Sequence, residues 1–462
     1  MSCLSILINY YSCLTIEKNV DKKRKYYLTG TIIINVLILF LFKYFNFLNT
    51  NLSSFARALG WNYSIGALEM ILPLGLSFYT FKCISYDIEV HRKTIPVEKN
   101  LEIFSLYIFL YPELLAGPID RPQNLLSQIR QTHGFDYERI TNGLKLMAWG
   151  FFQKWVIADR LAMLVARVYD NPQEYNGLGY VVATFYFAIQ IYCDFSAYSD
   201  IAIGAGEVLG FSFMKNFNRP YFAKSISEFW RRWHISLSTW LRDYLFLPIA
   251  YATARKLHNK RFIGIKPETW SYLAATIFTM FIAGLWHGAN WTFISWGTLI
   301  GIFLVVSFST RKFRRYFLKI TKLNKLKRLH NLFSIVFTFS LICFCWIFFR
   351  ANSFNDALYM ISHIYTGFGH YFRMLAHSVA QFRFGHEIIE PFTLGFNDME
   401  LYLAVLFIGF LFIVNFIQTK VRIREFVSKR PAAVRWALYL LIIFIILIYG
   451  RFENRQFIYM QF

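Results

Sequence analysis

Two histidines stand inside apolar, tryptophan-rich segments. His287 lies in FIAGLWHGANWTFISWG (281–297). An ionisable side chain at membrane depth is costly and points to function by default. Gly284 and Gly288 bracket it at a small-xxx-small step that admits a second backbone. Asn290, three residues on, is placed to orient the imidazole, and Trp286, Trp291 and Trp296 supply walls. His234 lies in EFWRRWHISLSTWLRDYLFL (228–247). There Trp230, Trp233, His234, Leu237 and Leu241 share one face of a continuous helix. The bland alternative for this segment is an interfacial helix with a tryptophan belt and snorkelling arginines. Seven of the twelve tryptophans fall between Trp230 and Trp296, so both histidines are expected to border one aromatic cavity.

Neutral imidazole takes a proton from a hydroxyl near physiological pH. Direct acyl transfer fits: one histidine deprotonates an acceptor hydroxyl, which attacks an acyl thioester with no covalent enzyme intermediate. No GxSxG elbow signals a hydrolase-type nucleophile. No HExxH pattern or third ligand accompanies the histidines, so no metal is expected.

The charges around these histidines need partners. Glu228 precedes Arg231 and Arg232 by three and four residues, which permits local pairing. Asp194 and Asp200, with Ser196 and Ser199, are polar groups inside an apolar stretch. They are expected to bond Arg231, Arg232 or Arg242 and hold the histidine helix. The 150–162 segment carries Lys154, Asp159 and Arg160 and reads as an interior helix whose lysine meets donor phosphates. Asp120 and Arg121 follow a Gly-Pro break and read as loop-forming.

The elements that must position these residues are membrane helices. Hydrophobic residues make up 56% of the 462 and charged residues 16%, too few charges to cover a soluble fold of this size. Disorder is excluded by the same composition, and six cysteines are too few for a disulfide scaffold. Apolar runs of bilayer-spanning length fall at 27–48, 65–86, 178–204, 273–308, 332–349, 401–418 and 436–450. The 273–308 run is too long for one crossing and predicts two short segments or a break at Gly284 or Gly288. More polar runs at 101–115, 144–168 and 226–249 read as interior, re-entrant or interfacial pieces. The expectation is a single all-α, polytopic domain over 1–462, with about ten transmembrane or re-entrant helices and no sheet. The net charge of +22 is concentrated in loops at 18–25, 311–328 and 420–435. All three are expected on the cytoplasmic side, which turns 351–400 outward. The same loops offer docking for anionic membrane lipid. No basic domain stands clear of the apolar runs, so nucleic acid is not an expected partner. No cleavable signal peptide is expected at the start.

The segments YPELLAGPIDRPQNLLSQI (111–129), GFFQKWVIADRLA (150–162), DFSAYSDIAIGAGEVLGF (194–211), RPYFAKSISEFWRRWHISLSTWLRDYLFLPI (219–249), GLWHGANWTFISWG (284–297) and FIYMQF (457–462) together resemble the membrane-bound O-acyltransferases. The likeness is to the branch of the alginate O-acetyltransferase membrane subunit. It implies a multi-helix ring around a central tunnel open to both faces. It implies that His287 is the active-site histidine and general base, and that His234 is the second motif position, placing the donor carbonyl or sharing the proton. It further implies acetyl-CoA as cytoplasmic cosubstrate with no bound cofactor, an exported polysaccharide as acceptor, and an extracytoplasmic SGNH-hydrolase-like partner. The bacterial plasma (inner) membrane is the implied location. Relatives begin with one or two further apolar segments, so the chain is expected to start inside that region. The alternative within the class is D-alanyl transfer to teichoic acid from a carrier protein. From other classes, a transporter or flippase predicts flux largely intact after His287→Ala, and a membrane scaffold predicts no loss of function from either histidine.

Overall fold

The computed structural model describes residues 2–71, 73–257, 265–321, 325–381, 385–453 and 455–458. Helices make up the architecture, with no strand among the described residues. Among the described residues seven helical stretches are long and apolar enough to cross a membrane: Lys22–Ala58, Gly177–Leu209, Pro267–His287, Trp291–Ser309, Lys327–Arg350, Asp398–Ile417 and Ala432–Tyr449.

The axis of the fold is the 33-residue helix Gly177–Leu209, nearly all of which is buried by its neighbours. The Asn176 side chain caps its start by accepting from the Leu178 and Gly179 amides, and Gly210 ends it at φ 101. At about 1.5 Å per residue it runs roughly 50 Å, well beyond a bilayer core of about 30 Å. Antiparallel to it run Tyr137–Phe151, a π turn at Phe152–Ala158, and Asp159–Asp170. The two rows cross where Gly143 meets Gly204. A Cβ on Gly143 would lie 2.5 Å from the Gly204 carbonyl oxygen, and one on Gly204 would lie 2.6 Å from the Gly143 oxygen. Only glycine admits backbones this close, the packing expected where lipid gives helices no hydrophobic reason to associate.

The bundle's two ends separate as the charge pattern predicts. At one end Asp170 pairs with Arg350 at 3.1 Å, and the Gly177 amide bonds Thr366 of the 351–400 loop at 2.9 Å. At the other end Glu207 pairs with Arg424 at 2.8 Å, and Lys145 meets Ser428 at 2.5 Å. Arg24 reaches the Val90 carbonyl there, Arg121 pairs with Asp243 at 3.0 Å, and Gln128 bonds the Ser212 carbonyl at 3.1 Å. The helix Lys327–Arg350 rises from the 311–328 loop to Asp170. The described residues of all three basic loops thus share one end, and those of 351–400 lie at the other.

One expected span and one expected interior piece differ. The run 65–86 is not one helix: the chain is non-helical from Trp61 to Ile71, and the helix Leu76–Arg92 starts only after Gly75, at φ 71. Pro73 and Gly75 break a run that hydropathy alone reads as continuous. The run 226–249 is not continuous either. It divides into Ile226–Trp230, Ile235–Leu241 and a π turn at Arg242–Phe246. The 273–308 run forms two helices, with the break at 288–290.

Candidate active site

His287 is the last residue of Pro267–His287, and Trp291–Ser309 returns beside it as a hairpin. The glycines of GLWHGA make the hairpin possible. A Cβ on Gly284 would lie 2.3 Å from the Phe293 carbonyl oxygen, and one on Gly297 would lie 2.2 Å from the Met280 oxygen. The backbone that the small-xxx-small step admits is therefore the hairpin's own second helix. The His287 ring sits 4.9 Å from Trp286, 5.0 Å from Trp296 at 90°, and 5.3 Å from Phe349. Two expectations need correction here. Asn290 does not orient the imidazole: its Oδ1 accepts from the Thr292 amide at 3.0 Å and caps the second helix. Trp291 does not wall the histidine: it is 52% exposed and turns to Phe47 and Asn51.

His234 occupies a break between helices with φ 41, ψ 55. A left-handed conformation at a non-glycine residue is strained and persists where surrounding contacts enforce it. Here the 216–218 segment enforces it. The Asn218 amide donates to the Arg232 carbonyl at 2.8 Å, and the Ile235 amide donates to the Asn216 carbonyl at 2.9 Å. These bonds replace helical ones, so the expected single amphipathic face of 228–247 is interrupted at the histidine itself. The Asn216 side chain completes the clamp. Its Nδ2 donates to Ser199 Oγ at 3.1 Å. Its Oδ1 accepts from the Ser236 amide at 3.2 Å, from Ser236 Oγ at 2.7 Å and from His234 Nδ1 at 3.2 Å. An amide oxygen only accepts, so Nδ1 carries the proton and Nε2 is the basic nitrogen of the neutral ring.

The two imidazoles both pack against one indole. Trp286 is 4.9 Å from His287 and 6.3 Å from His234. Phe81 stacks on Trp286 at 5.2 Å and on Trp240 at 4.0 Å. Trp296 links Trp230 at 5.8 Å to Trp346 at 5.8 Å, and Trp346 meets Trp233 at 5.2 Å. Aromatic rings thus surround both histidines, and Phe81, Trp346 and Phe349 join the tryptophans of 230–296 there. His234 is 0% exposed and His287 4%, so both rings face protein and not lipid. They stand at different depths. His234 packs on Phe195 at 4.5 Å, whereas His287 packs on Phe349, which meets Phe187 at 6.4 Å. Phe187 and Phe195 are about 12 Å apart along the central helix. His287 is the nearer to the end holding Arg350, and His234 lies deeper.

Glu228 pairs with Arg232 as its spacing permits, but the aspartates predicted to meet the arginines do not. Asp194 accepts from Lys154 at 2.7 Å and from the Ile458 amide at 2.7 Å. Lys154 also pairs with Asp159 at 2.9 Å, and its Nζ lies 4.3 Å from the Phe457 ring centre. Lys154 is therefore the hub of a buried ion network that holds the 457–458 stretch, not an outward-reaching phosphate ligand. Asp200 accepts from Gln153 at 2.9 Å, not from an arginine. Arg232 pairs with Glu228 at 2.7 Å and Arg242 with Asp243 at 2.8 Å, while Arg231 is exposed. The aspartates thus face the antiparallel row across the central helix, because the π turn at Phe152–Ala158 swings Gln153 and Lys154 onto them. A cavity of about 600 Å³ opens on that side, between Trp155, Tyr198 and Phe457. Among the described residues no three metal-ligating side chains converge.

Sequence reasoning missed Asn216, whose NFN context carries no spacing signal, and Lys43. Lys43 Nζ donates to the Trp286 carbonyl at 2.6 Å and lies 3.4 Å from that of His287. A lone cation in the 27–48 apolar run was the available signal.

Comparison with known proteins bears on this geometry. The model of the membrane-bound O-acyltransferase family matches residues 92–354, which include both histidines. A probable alginate O-acetylase of Azotobacter vinelandii is 36% identical over 341 residues, covering 74% of this chain and 63% of that protein. A peptidoglycan O-acetyltransferase of Helicobacter pylori is 32% identical over 386 residues, covering 77% and 67%. A teichoic acid D-alanyltransferase of Bacillus subtilis is 25% identical over 289 residues, covering 62% and 71%. The match to the first of these spans about three fifths of that relative's length.

Proposed function

The chain belongs to the membrane-bound O-acyltransferase family, and from that premise we propose that it passes an acyl group, acetyl by preference, from a cytoplasmic thioester to a hydroxyl on the outer side. The observation that carries the reading is the pair of buried imidazoles packed against one indole, Trp286, at two depths inside the protein. His287, nearer the outer end, serves as general base toward the acceptor hydroxyl. The alkoxide attacks the thioester carbonyl and the carbon–sulfur bond breaks. The thiolate then leaves with the proton that the imidazole took. His234, deeper and held in one tautomer by Asn216, faces the donor side and positions its carbonyl. General-base assistance contributes roughly 10²–10⁴-fold.

Acetyl-CoA is the proposed donor, used as cosubstrate. An exported polysaccharide, reached directly or through an extracytoplasmic SGNH-hydrolase-like protein, is the proposed acceptor. The bacterial inner membrane is the proposed location. The alginate and peptidoglycan acetylating relatives support acetyl over D-alanyl, since they match over more of the chain and at higher identity. Reconstitution in liposomes with labelled acetyl-CoA on one side and acceptor on the other tests the reading. Wild type is expected to transfer label, and His287→Ala to insert normally and transfer almost none. Equal transfer by both overturns the assignment. Label moved only from a D-alanyl carrier selects the other donor. Solute flux without any acyl donor, unaffected by His287→Ala, selects a transporter.

A further inference from the structure

Lys43 lies in the N-terminal arm, outside the family-matched 92–354 region. It sits in a π turn, Phe40–Tyr44, where the helical ladder widens before Phe45–Ala58 continues. Such turns are rare and concentrate at functional positions. The ammonium donates to the Trp286 carbonyl at 2.6 Å, lies 3.4 Å from the His287 carbonyl oxygen, and sits 5.9 Å from the Trp286 ring centre. Both carbonyls belong to the last turn of Pro267–His287, where helix oxygens lack intrahelical partners and the dipole is negative. Gly288 continues in extended conformation at φ −171, so no left-handed glycine cap closes this helix. Lys43 closes it instead.

The contact does not stand alone. Phe47 meets the Trp291 ring at 5.7 Å, and Asn51 Oδ1 accepts from Trp291 Nε1 at 3.0 Å. Positions 43, 47 and 51 follow at successive turns on one face. The arm therefore grips the hairpin on both sides of the 288–290 break: the helix that ends in His287 through Lys43, and the helix that leaves through Trp291. Holding a reactive group within a fraction of an ångström is what such anchors provide, and small displacements cost rate steeply.

We propose that Lys43 is a positioning residue for acyl transfer, fixing the Trp286–His287 pair so that imidazole and indole keep their places between donor and acceptor. The role rests on the acyl-transfer reading above. Its test compares wild type, Lys43→Met, Lys43→Gln and Lys43→Arg in the same liposomes, with hydrogen–deuterium exchange across 283–292 measured on each. Losing a hydrogen bond from a charged donor predicts a kcat lower by roughly 10- to 100-fold in Lys43→Met, with donor KM within about twofold of wild type. Exchange should rise across 283–292, and Lys43→Arg should restore most of the rate. If Lys43→Met does not fold, Lys43→Gln, a neutral donor, should show a smaller loss of the same kind. A folded Lys43→Met or Lys43→Gln with wild-type kcat, with a loss confined to KM, or with unchanged exchange overturns the role. A wild type that transfers no acyl group overturns the acyl-transfer reading as well, so the two failures are distinguishable.

Discussion

Asn216→Ala separates the chemistry of His234 from its packing. The side chain makes four buried hydrogen bonds: one to Ser199 and three onto the His234–Ser236 turn. Ser236 Oγ can rotate to another acceptor and Ser199 Oγ loses only a donor, but the Ser236 amide is fixed and would be orphaned, at about 1–3 kcal/mol. The Asn216 carbonyl bond to Ile235 survives any side-chain change, so the turn should persist. His234 loses the acceptor that selects its Nδ1–H tautomer. One such bond is worth about 1 kcal/mol, or roughly fivefold in the population of the working form. With looser ring placement added, kcat should fall roughly 5- to 100-fold, within the span general acid–base catalysis allows. Liposome transfer assays and thermal melts would be run on Asn216→Ala, His234→Ala and the double variant. If Asn216 acts through His234, it costs activity only while the histidine is present, whereas its cost in melting temperature appears in both backgrounds. A single Asn216→Ala variant transferring at wild-type kcat would refute the tautomer argument. So would equal further loss in the His234→Ala background.

The other expectations are briefer. His287→Ala should insert and melt normally while transferring almost no label. Gly284→Ala places a methyl 2.3 Å from the Phe293 carbonyl oxygen, which belongs to backbone and does not yield. A loss of about 1–3 kcal/mol is expected, read as a lower melting temperature in detergent, and an unchanged melt counts against the hairpin packing. Asp194→Asn leaves Lys154 buried with Asp159 alone and takes the charged acceptor from the Ile458 amide. The lysine keeps one carboxylate, so the loss should fall below the roughly 3–5 kcal/mol of stranding a buried charge; yield and melting temperature should drop, with activity per folded molecule altered far less.

Much of this fold was legible because bilayer thickness imposes a length on apolar runs. The helices Lys327–Arg350, Asp398–Ile417 and Ala432–Tyr449 each match a run expected from hydropathy alone to within a few residues. The hairpin at His287 was legible through its glycines. The failures have a common cause: they depend on partners far away in the chain. His234 leaves the helix because 216–218 takes its neighbours' hydrogen bonds, and no local periodicity encodes that. Asp194 and Asp200 find Lys154 and Gln153 because a π turn rotates those side chains inward. Nothing in the spacing distinguishes them from the arginines expected as partners. Lys43 is the opposite case. The rule that singled out His287 applied to it equally, yet a hydropathy window absorbed one cation among leucines and phenylalanines. At 65–86 the window erred the other way, outvoting Pro73 and Gly75.

The crossings at Gly143–Gly204 and Gly284–Gly297 also restrict how this molecule can move. Turning either helix by one residue swings its side chains through about 100°, which would drive a neighbour's Cβ into a carbonyl oxygen. Screw-like sliding is therefore barred along the central pair and within the hairpin alike. Opening a path to the buried imidazoles must leave those joints intact and draw on elements that meet through side chains alone.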